Sequence, residues 1–342
     1  MRYRKGEDCG MNKRPNLFSY ATSELSQDAF ICWLTEWTDP QYKEVNRELH
    51  EVGTDFIRKI YDLHKKDFPT SIEKVEITRQ FKGLDILIEI NGRQAILIED
   101  KTYTKEHSNQ LKRYYEAVVE MEEYNECDIL PVYYKTGNQS DYSSVFEAKY
   151  VLFTRKKMLE VLQNGVNKGI QDQIFLDYYS YLREIDQKYD GYKNLPLNEW
   201  KGETWAGFYE ELKQRGIQGH YGYVANPNGG FYAFWWNEQE DKECKQYLQL
   251  EEDCLCFKIH VHENDKENRR ELRNKWSTKL IEQSQTCSLS LEKPRFGNGE
   301  YMTVAVLRDY RVKGEEGRID MCKMMEVLCE AEGLLRLGIG SK

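Results

Sequence analysis

Two short runs gather residues able to handle charge: Gly83-Leu84-Asp85, and Ile98-Glu99-Asp100-Lys101. Both lie in apolar, β-prone stretches, LDILIEI and QAILIEDK, and Asn91-Gly92-Arg93 between them carries the Asn-Gly pair of a tight hairpin. Neighbouring antiparallel strands bring one carboxylate from each to the same place, while alternation puts Glu99 and Lys101 on one face and Asp100 on the other. A surface hairpin holding a solvated ion pair would use the same residue types. Here the acids interrupt strands that should be buried, so they stand at the edge of a core, where several carboxylates are costly without a cation. Oxygen ligands from carboxylates and a backbone carbonyl suit Mg²⁺ or Mn²⁺.

The surrounding elements follow from periodicity. SELSQDAFICWLTEW predicts an amphipathic helix with Leu25, Phe30, Trp33, Leu34 and Trp37 on one side and Ser23 as its cap. A second helix is expected from after Pro40 to about Lys66, with Val45, Leu49, Val52, Phe56, Ile60 and Leu63 aligned. IEKVEITRQF and the two hairpin runs read as strands, TKEHSNQLKRYYEAVVEMEEY as a helix, and ILPVYYK and KYVLFT as further strands. Helices through MLEVL and a Tyr-rich stretch to about Tyr189 follow, giving an α/β layer arrangement. DGYKNLPLNEW lacks periodicity, which places a domain boundary near 190–200, between a domain at 16–190 and another at 200–340. The second half reads β, β, β, α, β, β, α, an α+β domain with a hairpin at Asn226–Gly230 and with CSLSLEK and EYMTVAVLRDY as its last two strands.

Composition narrows the function classes. Of 342 residues, 40% are hydrophobic and 31% charged, which excludes disorder throughout; a net charge of -9 excludes a polycation that coats nucleic acid, so an anion site must be local. No apolar run approaches the ~20 residues that span a bilayer. The charged start MRYRKGEDCGMNKRPN lacks a secretory signal's apolar middle, and nine cysteines without a CxxC pair fit reduced thiols. The expected compartment is therefore cytoplasmic.

At Asp85, Glu99 and Lys101 the sequence resembles the PD-(D/E)XK nuclease superfamily, whose signature is an Asp on one strand and (D/E)-x-K on the next. The likeness extends back to SELSQDAFICWL, similar to the N-terminal helix whose acid, here Glu24, completes the metal site. It extends forward to Gln110 and Tyr114, matching the QxxxY helix motif of one nuclease branch. Gly83-Leu84 stands where many members have Pro before the Asp, a departure that the superfamily accommodates. The resemblance implies a restriction-endonuclease-like fold with helices flanking a mixed sheet, and a Mg²⁺-dependent nuclease acting on nucleic acid, DNA in the first instance, in defence against foreign DNA or in repair. Asp85, Glu99 and the carbonyl of Asp100 would hold the metal, with Glu24 a further or water-mediated ligand. Lys101 would orient the attacking water or stabilise the phosphorane, and Gln110 and Tyr114 would reach the lysine, the water or a phosphate. Cutting two strands needs two centres, so a homodimer is one expected assembly. The second reading left open is a catalytically silent nucleic-acid-binding or sensor protein that retains the fold.

Other signals carry less. Lys105, Lys112 and Arg113 would add positive charge near the metal, against the plain reading of a solvated helix face. His260 and His262 could share a strand face, but no third ligand is apparent, so an exposed strand-end pair is expected. Phe231, Tyr232, Phe234, Trp235 and Trp236 could stack bases, yet alternate aromatics filling a sheet core, with Arg269, Arg270 and Arg273 paired to Glu267 and Glu271, account for them more simply.

Overall fold

A computed structural model describes residues 15–107, 109–226 and 229–339; Cys9, Pro227 and Asn228 lie outside them. The chain divides into two compact units, Met1–Gly137 with Tyr142–Asp186, and Asn138–Asp141 with Gln187–Lys342.

In the first unit, five strands form one sheet in the order β1 (Val75–Phe81), β2 (Leu84–Ile90), β3 (Gln94–Lys101), β4 (Ile129–Lys135), β5 (Val151–Thr154). β1, β2 and β3 run antiparallel, while β4 joins β3 and β5 joins β4 in parallel, so the sheet is mixed. β3 and β4 are buried almost throughout, and their unbroken apolar runs reflect cover on both faces. α1 (Glu24–Glu36), α2 (Arg47–His64), α5 (Arg155–Asn167) and α6 (Gln173–Tyr189) supply helices to this unit. α3 (Gln110–Val119) sets Val118 against Leu84, Leu87, Ala95 and Leu97, and α4 (Ser143–Glu147) leads into β5. The hairpin turn forms where the Asn-Gly pair indicates: Asn91 and Gly92 take φ of 56° and 60°, and the Asn91 side chain accepts from the backbone N–H groups of Glu73 and Lys74.

Several local expectations need correction. α1 buries Gln27, Asp28, Phe30, Ile31, Leu34 and Thr35, whereas Leu25 is exposed and Trp37 lies at the C-cap. Ser23 occupies the N-cap, but its hydroxyl meets Ser26 Oγ at 3.2 Å instead of capping the backbone. Val45 precedes α2 and is exposed, because Pro40 starts a separate short 3₁₀ turn with Asp39 as its cap. The helix expected from Thr104 begins only at Gln110.

The second unit holds an antiparallel sheet in the order β10 (Tyr301–Arg308), β9 (Cys254–His260), β8 (Lys245–Leu250), β7 (Phe231–Glu240), β6 (Gly219–Val224), together with α7 (Gly202–Gln214), α8 (Arg269–Ser284) and α9 (Met321–Ile339). CSLSLEK is not a strand: Glu292 alone bridges Val306, and Pro294, which has no N–H to donate, follows two residues later. β8 and α7 are the elements missed. β8 is half polar, with Gln246 and Gln249 buried, and α7 contains glycines that lower helix propensity. Gly207 is needed there, since a Cβ would lie 1.9 Å from the carbonyl oxygen of Tyr189. Phe234 and Trp236 are buried, and Phe234 stacks on Tyr209 at 5.7 Å between ring centroids. Trp235 instead lines, with Tyr247, Lys258, His260 and Tyr301, a cavity of about 980 Å³. The helix arginines take other partners than expected: Arg269 bonds Glu263 and the carbonyl of Val261, and Arg273 bonds the Gly297 carbonyl and covers the Phe296 ring.

Candidate active site

The site grows from the ragged end of the β2–β3 ladder. Strand pairing stops at Ile86 with Ile98, which leaves Glu99, Asp100 and Lys101 of β3 paired only on their β4 side, to Tyr133, Tyr134 and Lys135. Asp85 takes over where the ladder stops, its Oδ2 accepting the backbone N–H of Asp100 at 2.9 Å.

Lys101 Nζ stands at the focus. It donates to Glu99 Oε1 at 2.5 Å and to the Asp100 carbonyl at 2.9 Å, with Asp85 Oδ2 at 4.0 Å and Glu24 Oε2 at 3.9 Å. Glu24, the first residue of α1, is aimed by its other oxygen, which accepts from Thr102 N at 2.9 Å and Thr104 Oγ1 at 3.2 Å. Gln110 opens α3 and donates through Nε2 to Glu99 Oε1 at 2.6 Å, and the same nitrogen lies 3.0 Å from the Tyr114 hydroxyl. The amide thus reaches the glutamate, not the lysine. Tyr114 packs over Gly83, where φ is +95° and a Cβ would stand 3.2 Å from the ring, so the glycine before Leu84-Asp85 serves both backbone and packing.

Alternation sends the Asp100 side chain to the opposite face. Gln27 Nε2 approaches its two oxygens at 3.4 and 3.3 Å and donates to Thr102 Oγ1 at 2.6 Å. Tyr178 donates to Gln27 Oε1 at 3.3 Å and meets Tyr134 at 2.9 Å between hydroxyls, which extends the network into the core. The backbone carbonyl of Asp100, not its carboxylate, therefore faces the cluster.

Sequence reasoning missed two charged residues here. Asp28 lies one helical turn after Glu24, at the i+4 spacing that could have revealed it. Both its carboxylate oxygens are buried without a hydrogen-bond partner among the described residues. Lys135 sits in register beside Lys101 and donates to the Thr104 carbonyl. Conversely, Lys112 pairs with Glu116 at 3.8 Å, the ordinary i,i+4 ion pair of a solvated helix face.

Electrostatics mark the cluster as short of positive charge. Desolvation, reinforced by Asp85, pushes the Glu99 carboxyl up to about 8 against the pull of Lys101. Burial and then Asp85 push Asp28 up to about 7, and burial with Asp28 and Glu24 holds Asp100 well above the usual carboxylate range. Desolvation works against the Lys101 ammonium, but Glu99, Asp85 and Glu24 outweigh it and raise its pKa; desolvation lowers Lys135 to about 8. Glu24, Asp85 and Glu99 thus place carboxylate oxygens within 4.0 Å of the Lys101 ammonium, with the Asp100 carboxyl on the opposite face.

A divalent cation fits this donor set. Glu99 uses Oε1 for Lys101 and Gln110, while its Oε2 is buried with no partner among the described residues. A buried carboxylate oxygen in that condition is energetically unfavourable until a cation meets it. Hard oxygen donors without sulfur or imidazole suit Mg²⁺ or Mn²⁺.

In the second unit the structure corrects one reading: His260 and His262 do have an acidic neighbour, Glu300, whose Oε1 lies 3.2 Å from His260 Nε2.

No helix among the described residues is long and apolar enough to cross a membrane. No curated protein and no solved structure matches the chain. A family pattern does match, over residues 15–184, the stretch that contains α1, the mixed sheet and every residue of the cluster just described. Through that stretch the chain belongs to the PD-(D/E)XK nuclease superfamily.

Proposed function

We propose that the first unit is a Mg²⁺- or Mn²⁺-dependent nuclease that hydrolyses phosphodiester bonds in DNA, and that it acts in the cytoplasm in defence against foreign DNA or in repair. The observation that carries this reading is the convergence of Glu99 Oε1, the Asp100 carbonyl, Asp85 Oδ2 and Glu24 Oε2 within 4.0 Å of one point, the Lys101 ammonium. Asp85, Glu99 and the Asp100 carbonyl would hold the ion, with Glu24 bound directly or through water. A bound divalent ion supplies Lewis acidity toward a phosphate oxygen and acidifies a coordinated water.

The chain's own residues supply the rest. Lys101, a compact cation, donates to the attacking water or to the phosphate oxygen on which charge grows as the water oxygen bonds to phosphorus and the bond to the leaving sugar oxygen breaks. Gln110 fixes the Glu99 carboxylate through Oε1 and leaves Oε2 available, and Tyr114 holds the Gln110 amide in place. Gln27 and the Thr102 amide orient the β3 end and Glu24. Two such centres, as in a homodimer, would cut both strands of a duplex.

One feature favours the silent-binding alternative: Lys101 already supplies a counter-ion. Lys101 leaves Glu99 Oε2 and both Asp28 oxygens without a partner among the described residues, however, and an inert relic would gain stability by losing such buried groups. The test is cleavage of single- and double-stranded DNA, with RNA alongside, by purified protein in Mg²⁺ or Mn²⁺. Cutting of DNA that disappears with chelator and in both Asp85→Ala and Lys101→Ala supports the proposal; cutting that survives both substitutions rejects this site.

A further inference from the structure

We infer that the second unit carries a separate binding site for a zinc-class divalent ion, built from His260, His262 and Glu300. His260 ends β9, His262 lies two residues beyond it, and Glu300 immediately precedes β10. β9 and β10 are antiparallel neighbours with His260 opposite Tyr301, and the backbone N–H of Val261 donates to the Glu300 carbonyl at 2.9 Å. The sheet itself therefore brings the three side chains together from segments 40 residues apart.

The geometry is that of ligands awaiting a small ion. The ligating atoms of all three residues lie within 4.8 Å of one another. His260 Nε2 and Glu300 Oε1 are 3.2 Å apart, close to the roughly 3.3 Å between two ligands at ~2.0–2.1 Å on a tetrahedral ion. The His260 and His262 rings lie 4.6 Å apart, and His260 stacks flat on Tyr301 at 4.4 Å and 7°, which fixes its orientation. The ligand atom of His262 lies within 4.8 Å of the other two, and its side chain is exposed beyond the end of β9.

The donor set distinguishes this site from the first unit's all-oxygen cluster. Two imidazole nitrogens and one carboxylate form a borderline set that prefers Zn²⁺ and its spectroscopic substitute Co²⁺ over Mg²⁺. Three protein ligands leave a fourth position for water. An ion here would clip the end of β9 to the start of β10.

The test uses the full chain stripped of metal and titrated with Co²⁺, read by the visible absorption of tetrahedral nitrogen-ligated cobalt, with Zn²⁺ as competitor. The expected result is one equivalent of strongly absorbing Co²⁺, displaced by Zn²⁺. His262→Ala and Glu300→Gln each weaken binding by more than the roughly 10- to 100-fold typical of losing an outer-shell partner. Glu99→Gln, which alters the other cluster, leaves this absorption intact. Both His262 and Glu300 are exposed enough for the variants to fold. Absence of the band in the unsubstituted chain, or a band of equal strength and affinity in His262→Ala, overturns the inference, and neither outcome bears on the nuclease proposal.

Discussion

Replacing Asp28 with asparagine separates what the cluster needs to bind a cation from what the fold needs to be stable. The carboxyl is buried with both oxygens unpartnered among the described residues, and burial followed by the charge of Asp85 pushes it from 3.8 to about 7. The folded chain therefore retains a proton that the unfolded chain has already released. Stability from this group is fully present below about pH 3.8 and is lost as pH rises through about 7. At ~1.4 kcal/mol per pKa unit, the penalty is about 2 kcal/mol at pH 5 and about 4 kcal/mol at pH 8 before solvent screening reduces both. The unsubstituted, metal-free protein thus loses up to ~2.5 kcal/mol over this range through Asp28 alone. A buried asparagine amide has its own penalty of roughly 1–3 kcal/mol, but that penalty does not change with pH, so the slope is the informative quantity. For a unit of this size, ~2–4 °C per kcal/mol converts the difference to at most about 5–10 °C. Thermal melting in chelator at pH 5 and pH 8 is the assay. Between the two pH values, the melting temperature of Asp28→Asn relative to the parent should rise by several degrees. Parallel pH profiles for the two proteins would refute the claim that Asp28 is a strained, charge-seeking carboxyl.

Other perturbations probe the remaining members. Lys101→Met should abolish cleavage while retaining Mn²⁺ binding by calorimetry, and should destabilise the metal-free fold by about 3–5 kcal/mol in denaturant titrations, since it strips a buried carboxylate of its partner. Gln110→Ala should reduce cleavage by roughly 10- to 100-fold, with Tyr114→Phe milder, as expected for groups that orient a ligand; equal rates for all three proteins would deny them that role. Mg²⁺ affinity measured by calorimetry should rise from pH 6 to pH 8.5, because Glu99, near 8, must release its proton to meet the ion. A flat profile would separate Glu99 from metal binding.

The hairpin and its three charged residues were legible because strand alternation and an Asn-Gly turn are local rules, and four motif matches in order narrowed the family. Asp28 and Gln27 escaped because, on an amphipathic helix, polar residues read as solvent-facing, whereas here α1 turns them toward the β3 end. Lys135 closes an otherwise apolar strand, and only the parallel register with β3 reveals its place beside Lys101. β8 was illegible because its buried glutamines break the apolar alternation, and α7 because Gly207 answers a packing demand that no local propensity records. The same limitation hid Glu300: a ligand that arrives across a sheet is visible only once the strand partners are known.

The most direct measurement of the central claim is diffraction from crystals soaked in Mn²⁺, recorded for anomalous signal. The account predicts a strong peak bounded by Asp85, Glu99 and the carbonyl of Asp100, with the Lys101 ammonium displaced from the position it holds without the ion. A crystal saturated with Mn²⁺ that shows no peak there, with Lys101 still bonded to Glu99, would contradict it.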